Sequence, residues 1–230
     1  MSWKREELVS VAMDIETVRL PVSDEARARF EKEYVPEGYK VPRNIKDAVK
    51  LEAHREAFVA GEGDRKAKAF ADFEEKDAFR LHRNRMISLS LGTIGDSDVS
   101  DIEAFYGDDP AKILAGALGY LEAVGAFRFV GWNCNKFDLP ILAKHMGTYG
   151  LRLPRRQGKW DTVDLCQYPF AYTSLKDCAR AFGLNVPPVD GSDVAGLYAR
   201  QAWTDIAEYN KSDVRLTGRL YLLASNVWEL

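Results

Sequence analysis

The heptapeptide Val11-Ala12-Met13-Asp14-Ile15-Glu16-Thr17 constrains this chain more than any other stretch. It is an apolar run carrying two carboxylates at alternate positions, with no Lys or Arg within it to neutralise them. In a strand, residues i and i+2 point to the same face, so Asp14 and Glu16 stand side by side. Carboxylates held together raise one another's pKa unless a cation lies between them. A hard divalent ion such as Mg²⁺ resolves the conflict, because it takes carboxylate oxygens. The competing reading is an edge strand bearing two solvated acids, and the heptapeptide alone leaves both standing.

The rest of the chain narrows the field. A length of 230 residues suits one α/β domain with an elaboration, and is enough to bury a substantial core. A formal net charge of −3 gives no global basic signature for nucleic acid, although local basic patches can still serve. Cys134, Cys166 and Cys178 lack metal-type spacing and read as reduced thiols of a cytosolic protein. His54, His82 and His145 are scattered, which argues against a zinc cluster. The start, Met1 to Glu7, is charged and has no apolar signal region. No stretch approaches the roughly 18 apolar residues of a membrane span. The expectation is a cytoplasmic location with no membrane partner.

Taken in order, residues 8–18 read as a first strand. Residues 24–85 are densely charged and broken by Pro36, Gly38, Pro42, Gly61 and Gly63. Unstructured loops beyond about 15 residues are uncommon in compact domains, so helices are expected at 46–60 and 64–79. This segment is either an insertion packed on the core or a solvated helical hairpin. Residues 86–91 alternate apolar and serine side chains, as a half-buried strand does. A turn at 95–98 returns the chain as a third strand over 99–106. Asp109-Pro110 then starts a helix that ends near Gly125. The compact run 127–132 reads as a buried central strand, and a helix follows over 139–146 with Gly147 beyond its end. Residues 150–159 form a basic loop and 161–165 a short strand. Ser174 caps the next helix, 194–200 form a short one, and Thr204 caps a last helix to about Ala224. A three-strand meander followed by alternating helices and strands makes an α/β core with a mixed five-stranded sheet. The whole is expected to be a single domain over 1–230.

Two later sites can deliver further acids to the first strand. Asp138 follows the buried strand directly, at its C-terminal edge, where open α/β sheets commonly bind ligands. Its alternative use is to cap the next helix. Tyr209 and Asp213, at i and i+4, share one face of the last helix. Asp213 otherwise pairs with Lys211, Arg215 or Arg219 on the helix surface.

Asp14-x-Glu16, Asn133-x-x-x-Phe137-Asp138 and Tyr209-x-x-x-Asp213, in that order, resemble the three motifs of the DEDDy subclass of DnaQ-like, ribonuclease H-like 3′-to-5′ exonucleases. Asn44-Ile45-Lys46-Asp47, Gly131-Trp132-Asn133, Leu139-Pro140-Ile141-Leu142, Asp164-Leu165 and Ser174-Leu175-Lys176 extend the likeness. They resemble predicted exonucleases related to the proofreading domain of family B DNA polymerases. The likeness covers most of the chain and is weakest in the charged insertion. It implies a ribonuclease H-like fold and two divalent ions, Mg²⁺ or Mn²⁺, with Asp14 bridging both. Glu16 and Asp213 would complete the site that activates water, and Asp138 would serve the second ion. Tyr209 would orient the nucleophilic water, since a phenol of pKa near ~10 is a poor general base. The subclass rests on this Tyr, the sister subclass having His there.

Substrate contacts are expected from Thr17 and Asn133 on the terminal nucleotide, and from Phe137 beside a base unless it belongs to the core. Arg152, Arg155, Arg156 and Lys159 form the densest basic cluster, which either tracks phosphates or is a solvated loop. Trp132 and Trp160 read as core. The implied substrate is a single-stranded DNA 3′ end. The rivals are RNA trimming on the same scaffold and an inactive binding module, which would lack at least one of the acids. A polymerase or repair partner, if used, would be a separate chain.

Overall fold

The computed structural model describes residues 8–42, 44, 46–78, 84–125, 127–154, 162–168, 170–171, 173–188 and 191–227. The chain divides into two compact units, Met1–Val18 with Asn84–Leu230, and Arg19–Arg83.

The first unit is built on a sheet of β1 (Val9–Arg19), β2 (Asn84–Ile94), β3 (Val99–Tyr106), β4 (Phe127–Gly131) and β5 (Thr162–Asp164), in the order β3-β2-β1-β4-β5. β1 is the middle strand, which disposes of the edge-strand reading of Asp14 and Glu16. It runs parallel to β4 with Ala12 opposite Val130, and β4 runs parallel to β5. β2 and β3 form an antiparallel pair.

The alternation in β1 sorts its side chains between two layers. Val11, Met13 and Ile15 join Phe127 and Phe129 in a core with α4 (Pro110–Val124) and α5 (Asp138–Thr148). Ala12 faces the other way, against Val99 and Val214. That side is covered by α6 (Leu175–Ala181), α7 (Val194–Ala199) and α8 (Trp203–Ser225). Each fully buried Met, Ile or Phe on the first side contributes about 1.5–3 kcal/mol. That surplus allows the opposite face of the same strand to carry acids.

Helix ends follow local chemistry. Asp109 caps α4 by accepting the Ala111 N–H, and Ser174 caps α6 by accepting that of Asp177. Three expectations need correcting. α8 starts after Ala202, so Thr204 lies inside it. Gly147 is within α5, which runs on to Thr148. Ser88 and Ser90 are completely buried, so β2 is not half-solvated. Helices cover both sides of β2, and the serine side meets α8 instead of water.

The second unit holds α1 (Asp24–Glu33), α2 (Ala48–Ala60) and α3 (Glu62–Ala78). α2 and α3 match the expected helices within a few residues. α1 was not anticipated; Ser23 caps it, accepting the Ala26 N–H, and Phe30 is its buried residue. Phe30 packs on Phe70 and Phe73, with ring centroids at 5.0 and 5.4 Å. Among the described residues, no helix is long and apolar enough to cross a membrane. Cys134, Cys166 and Cys178 are free thiols.

Candidate active site

Asp14 and Glu16 project from the α8 side of β1, and α8 brings Asp213 to meet them. One carboxylate oxygen from each of the three lies within 4.8 Å of the others. Asp213 is buried while Asp14 and Glu16 remain partly open, so the cluster has a solvent mouth. Two of the three cations open to Asp213 on sequence are engaged with other acids: Lys211 pairs with Glu208 at 2.9 Å and Arg219 with Asp98 at 2.9 Å.

Asp138 arrives from the end of β4. Gly131 lets the chain turn back tightly, because a Cβ there would lie 2.4 Å from that of Cys134. Asn133 takes the left-handed conformation, φ 57°, which Asn tolerates better than most residues. Asp164, buried at the end of β5, accepts the Asn135 and Cys166 N–H groups at 3.1 Å and steadies this turn. Asp138 then opens α5 without capping it, since Phe137 occupies the cap position with no side-chain bond. Its Oδ1 accepts the Ile15 N–H at 2.9 Å. Asp138 therefore grips β1 between the two acids of the heptapeptide.

The electrostatics are adverse to ionisation. Burial, followed by repulsion from Glu16, Asp138 and Asp213, raises Asp14 well above the ordinary carboxylate range. Glu16 is pushed up to about 8 by burial, Asp213 and Asp138, with Lys176 pulling the other way. Asp138 is pushed up to about 7, chiefly by burial, against the restraint of the Ile15 N–H. A divalent cation would reverse the balance for each group. Oxygens bound to one such ion at ~2.0–2.6 Å stand no more than ~5 Å apart, so Asp14, Glu16 and Asp213 fit it.

Tyr209 is buried one turn before Asp213. Burial and then the charge of Asp213 drive its phenol further above its ordinary value. It is a hydroxyl donor, unable to act as a base near neutrality. Lys176, in the first turn of α6, places Nζ 3.5 Å from the Tyr209 hydroxyl and 4.6 Å from its ring centroid.

Of the proposed substrate contacts, Thr17 and Asn133 are half-buried near the acids in sequence, and Arg152 is exposed. Phe137 is 40% exposed, which removes it from the core. Trp132 is partly buried against the α6–α8 core. Arg155, Arg156, Lys159 and Trp160 lie outside the described residues.

Two neighbours of the site were not singled out from sequence. Lys176 belongs to Ser174-Leu175-Lys176, and a lone lysine there carries no chemical signal of its own. Asn210 was legible in principle: it follows Ile206 by four residues on the apolar stripe of α8, and a buried amide needs partners. It is completely buried and donates to Asp14 Oδ2 at 2.5 Å.

Residues 69–225 match the family model of the RNase H superfamily. Among solved structures, the chain is similar to the family B DNA polymerase of the hyperthermophilic archaeon Pyrobaculum calidifontis, with a TM-score of 0.54 and 18% identity. The match covers 96% of this chain and 24% of the polymerase, so the chain spans about a quarter of that protein's length. No curated protein matches the chain in sequence.

Proposed function

The chain belongs to the RNase H superfamily, and from that membership we propose that it is a metal-dependent 3′-to-5′ exonuclease releasing nucleoside 5′-monophosphates from single-stranded DNA ends. The observation that carries this reading is the meeting of Asp14, Glu16 and Asp213 within 4.8 Å, with Asp138 bonded to the strand between the first two. Phosphodiester hydrolysis builds negative charge on the attacking, non-bridging and leaving oxygens. Two divalent ions about 3.5–4 Å apart stabilise the attacking and leaving oxygens. Asp14, Glu16 and Asp213 would hold one Mg²⁺ or Mn²⁺, and Asp138 with Asp14 the other.

The protein's own groups do the positioning. Tyr209 remains a protonated phenol, so its role is to orient the attacking water and not to deprotonate it. The Lys176 ammonium holds that phenol at its hydroxyl and favours the ionised form of Glu16. Thr17 and Asn133 would hold the terminal nucleotide. The exposed ring of Phe137 offers a face to its base, a contact tolerant of base identity. Arg152 would lie along the backbone phosphates, joined by Arg155, Arg156 and Lys159. DNA is favoured by the motif likeness to proofreading exonucleases, which also makes a polymerase or repair protein the natural partner class.

Incubation with 5′-labelled DNA and RNA oligonucleotides in Mg²⁺, Mn²⁺ or EDTA tests the reading. A ladder that shortens DNA from its 3′ end, only with metal and not in Asp14→Ala, is expected. Tyr209→Phe should be slowed yet measurable, as loss of water positioning alone predicts. Equal cleavage in EDTA, or full activity in Asp14→Ala, would sink the mechanism. Preferential shortening of RNA would move the substrate class without touching the metal chemistry.

A further inference from the structure

Asn210 joins three elements at the back of the acid cluster. Ser88 Oγ on β2 donates to Asn210 Oδ1 at 2.8 Å, and Asn210 Nδ2 donates to Asp14 Oδ2 on β1 at 2.5 Å. Ser88 and Asn210 are both completely buried, so neither exchanges its partner for bulk water. The chemistry fixes the direction of the chain. A carboxylate that ligates a cation only accepts, so the amide turns its NH₂ to Asp14, and its oxygen then takes the Ser88 proton. Asn210 also stands between Tyr209 and Asp213 on α8, so the same bond sets the register of that helix against β1.

We infer that Asn210 is a positioning residue of the metal centre: it holds one oxygen of Asp14, leaves the other for the ion, and seats α8 so that Asp213 reaches the site. Ser88 completes the device by locking the amide. The inference rests on the metal-dependent nuclease reading above. It differs from a merely structural role for a buried amide, which would affect folding and leave cation affinity alone.

Calorimetric titration of Mn²⁺, without nucleic acid, distinguishes the two. Wild type, Asn210→Leu, Ser88→Ala and Asp14→Ala are compared at a temperature where circular dichroism shows each to be folded. Removing a group that orients a metal ligand typically weakens binding ~10–100-fold, the result expected for Asn210→Leu. Ser88→Ala should weaken it about threefold, as loss of one neutral hydrogen bond would. A lowered melting temperature with unchanged Mn²⁺ affinity in both variants overturns the inference. Should Asn210→Leu fail to fold, Ser88→Ala decides by the same criterion. Mn²⁺ binding in wild type no tighter than in Asp14→Ala would instead bring down the nuclease reading, and the positioning role with it. Tight wild-type binding that Asn210→Leu and Ser88→Ala retain removes only Asn210.

Discussion

On α8, Asn210, Asp213 and Thr217 are buried among Ile206, Val214 and Leu220, whereas α2 of the 19–83 unit buries no residue at all. The contrast extends through both units. Around the sheet, apolar side chains from β1, β4, α4 and α5 close one continuous core. In the second unit, Val49 and Val59 are 78% and 65% exposed, and charge lies on the surface in pairs such as Lys66 with Glu31 and Arg65 with Glu62. Its aromatic contacts take cations over their faces, Arg27 over Phe70 at 4.7 Å and Arg65 over Phe58 at 3.8 Å. Exposed ion pairs of this sort are worth ~0–1 kcal/mol each. Holding four carboxylates against burial and mutual repulsion needs the larger surplus of the first unit. All four acids of the candidate site belong to it.

Asp213→Asn should separate activity from stability most sharply. On the proposed mechanism, several kcal/mol of transition-state stabilisation would depend on a metal site that loses one ligand, so the proposed exonuclease activity should fall by about a thousandfold. The metal-free protein should behave in the opposite sense. Glu16 rises from 4.5 to about 8 and Asp138 from 3.8 to about 7 on folding. Raised folded values mean that the native state binds the extra protons. Their stabilisation is complete below the unfolded values of 3.8 and 4.5, falls as pH climbs above them, and is lost once pH has passed through about 7 and about 8. Thermal melts in EDTA should show wild type losing stability across that window, and Mn²⁺ should restore it. In Asp213→Asn, the main charge raising Glu16 after burial is gone, so the decline should be shallower. Lys176 faces the same cluster and limits the effect without reversing its sign. A wild-type melting temperature that rises with pH in EDTA would contradict the crowding of acids.

These behaviours depend on residues of unequal legibility. Asp14 and Glu16 were readable because a strand's period of two leaves no alternative to their sharing a face. The order of Asp138, Tyr209 and Asp213 then selected the fold. Burial of Ser88 was not readable, since an alternating pattern looks the same whether the polar face meets water or a helix carrying Asn210. Asp138 bonding β1 was equally hidden, because the residue type alone fits a helix cap. α1 escaped notice for another reason: it buries little beyond Phe30, and without an apolar stripe its sequence resembles a charged loop.

Glycine substitution brings the comparison down to a single methyl group in each unit. At Gly218 on α8, a Cβ would lie 2.3 Å from Val99 Cγ2 and 3.3 Å from Ile94 Cγ1. The helix can approach the sheet this closely only without a side chain there. Overpacking of this kind costs about 1–3 kcal/mol, so Gly218→Ala should lower the melting temperature by ~2–4 °C for each kcal/mol lost. A silent substitution would mean that α8 is not seated tightly on β3, and the register assigned to Asn210 and Asp213 would lose its support. At Gly63, in the first turn of α3, a Cβ meets nothing within 4 Å. Alanine there removes backbone freedom from the unfolded chain and favours the helix, a gain of about 0.5–1 kcal/mol. Calorimetry of the full chain should therefore record opposite shifts for the same chemical change. If the 19–83 unit melts in its own transition, the gain should appear in that transition alone. Loss of stability in Gly63→Ala would show that the start of α3 is packed against a surface, and the contrast between a filled unit and a charge-covered one would have to be redrawn.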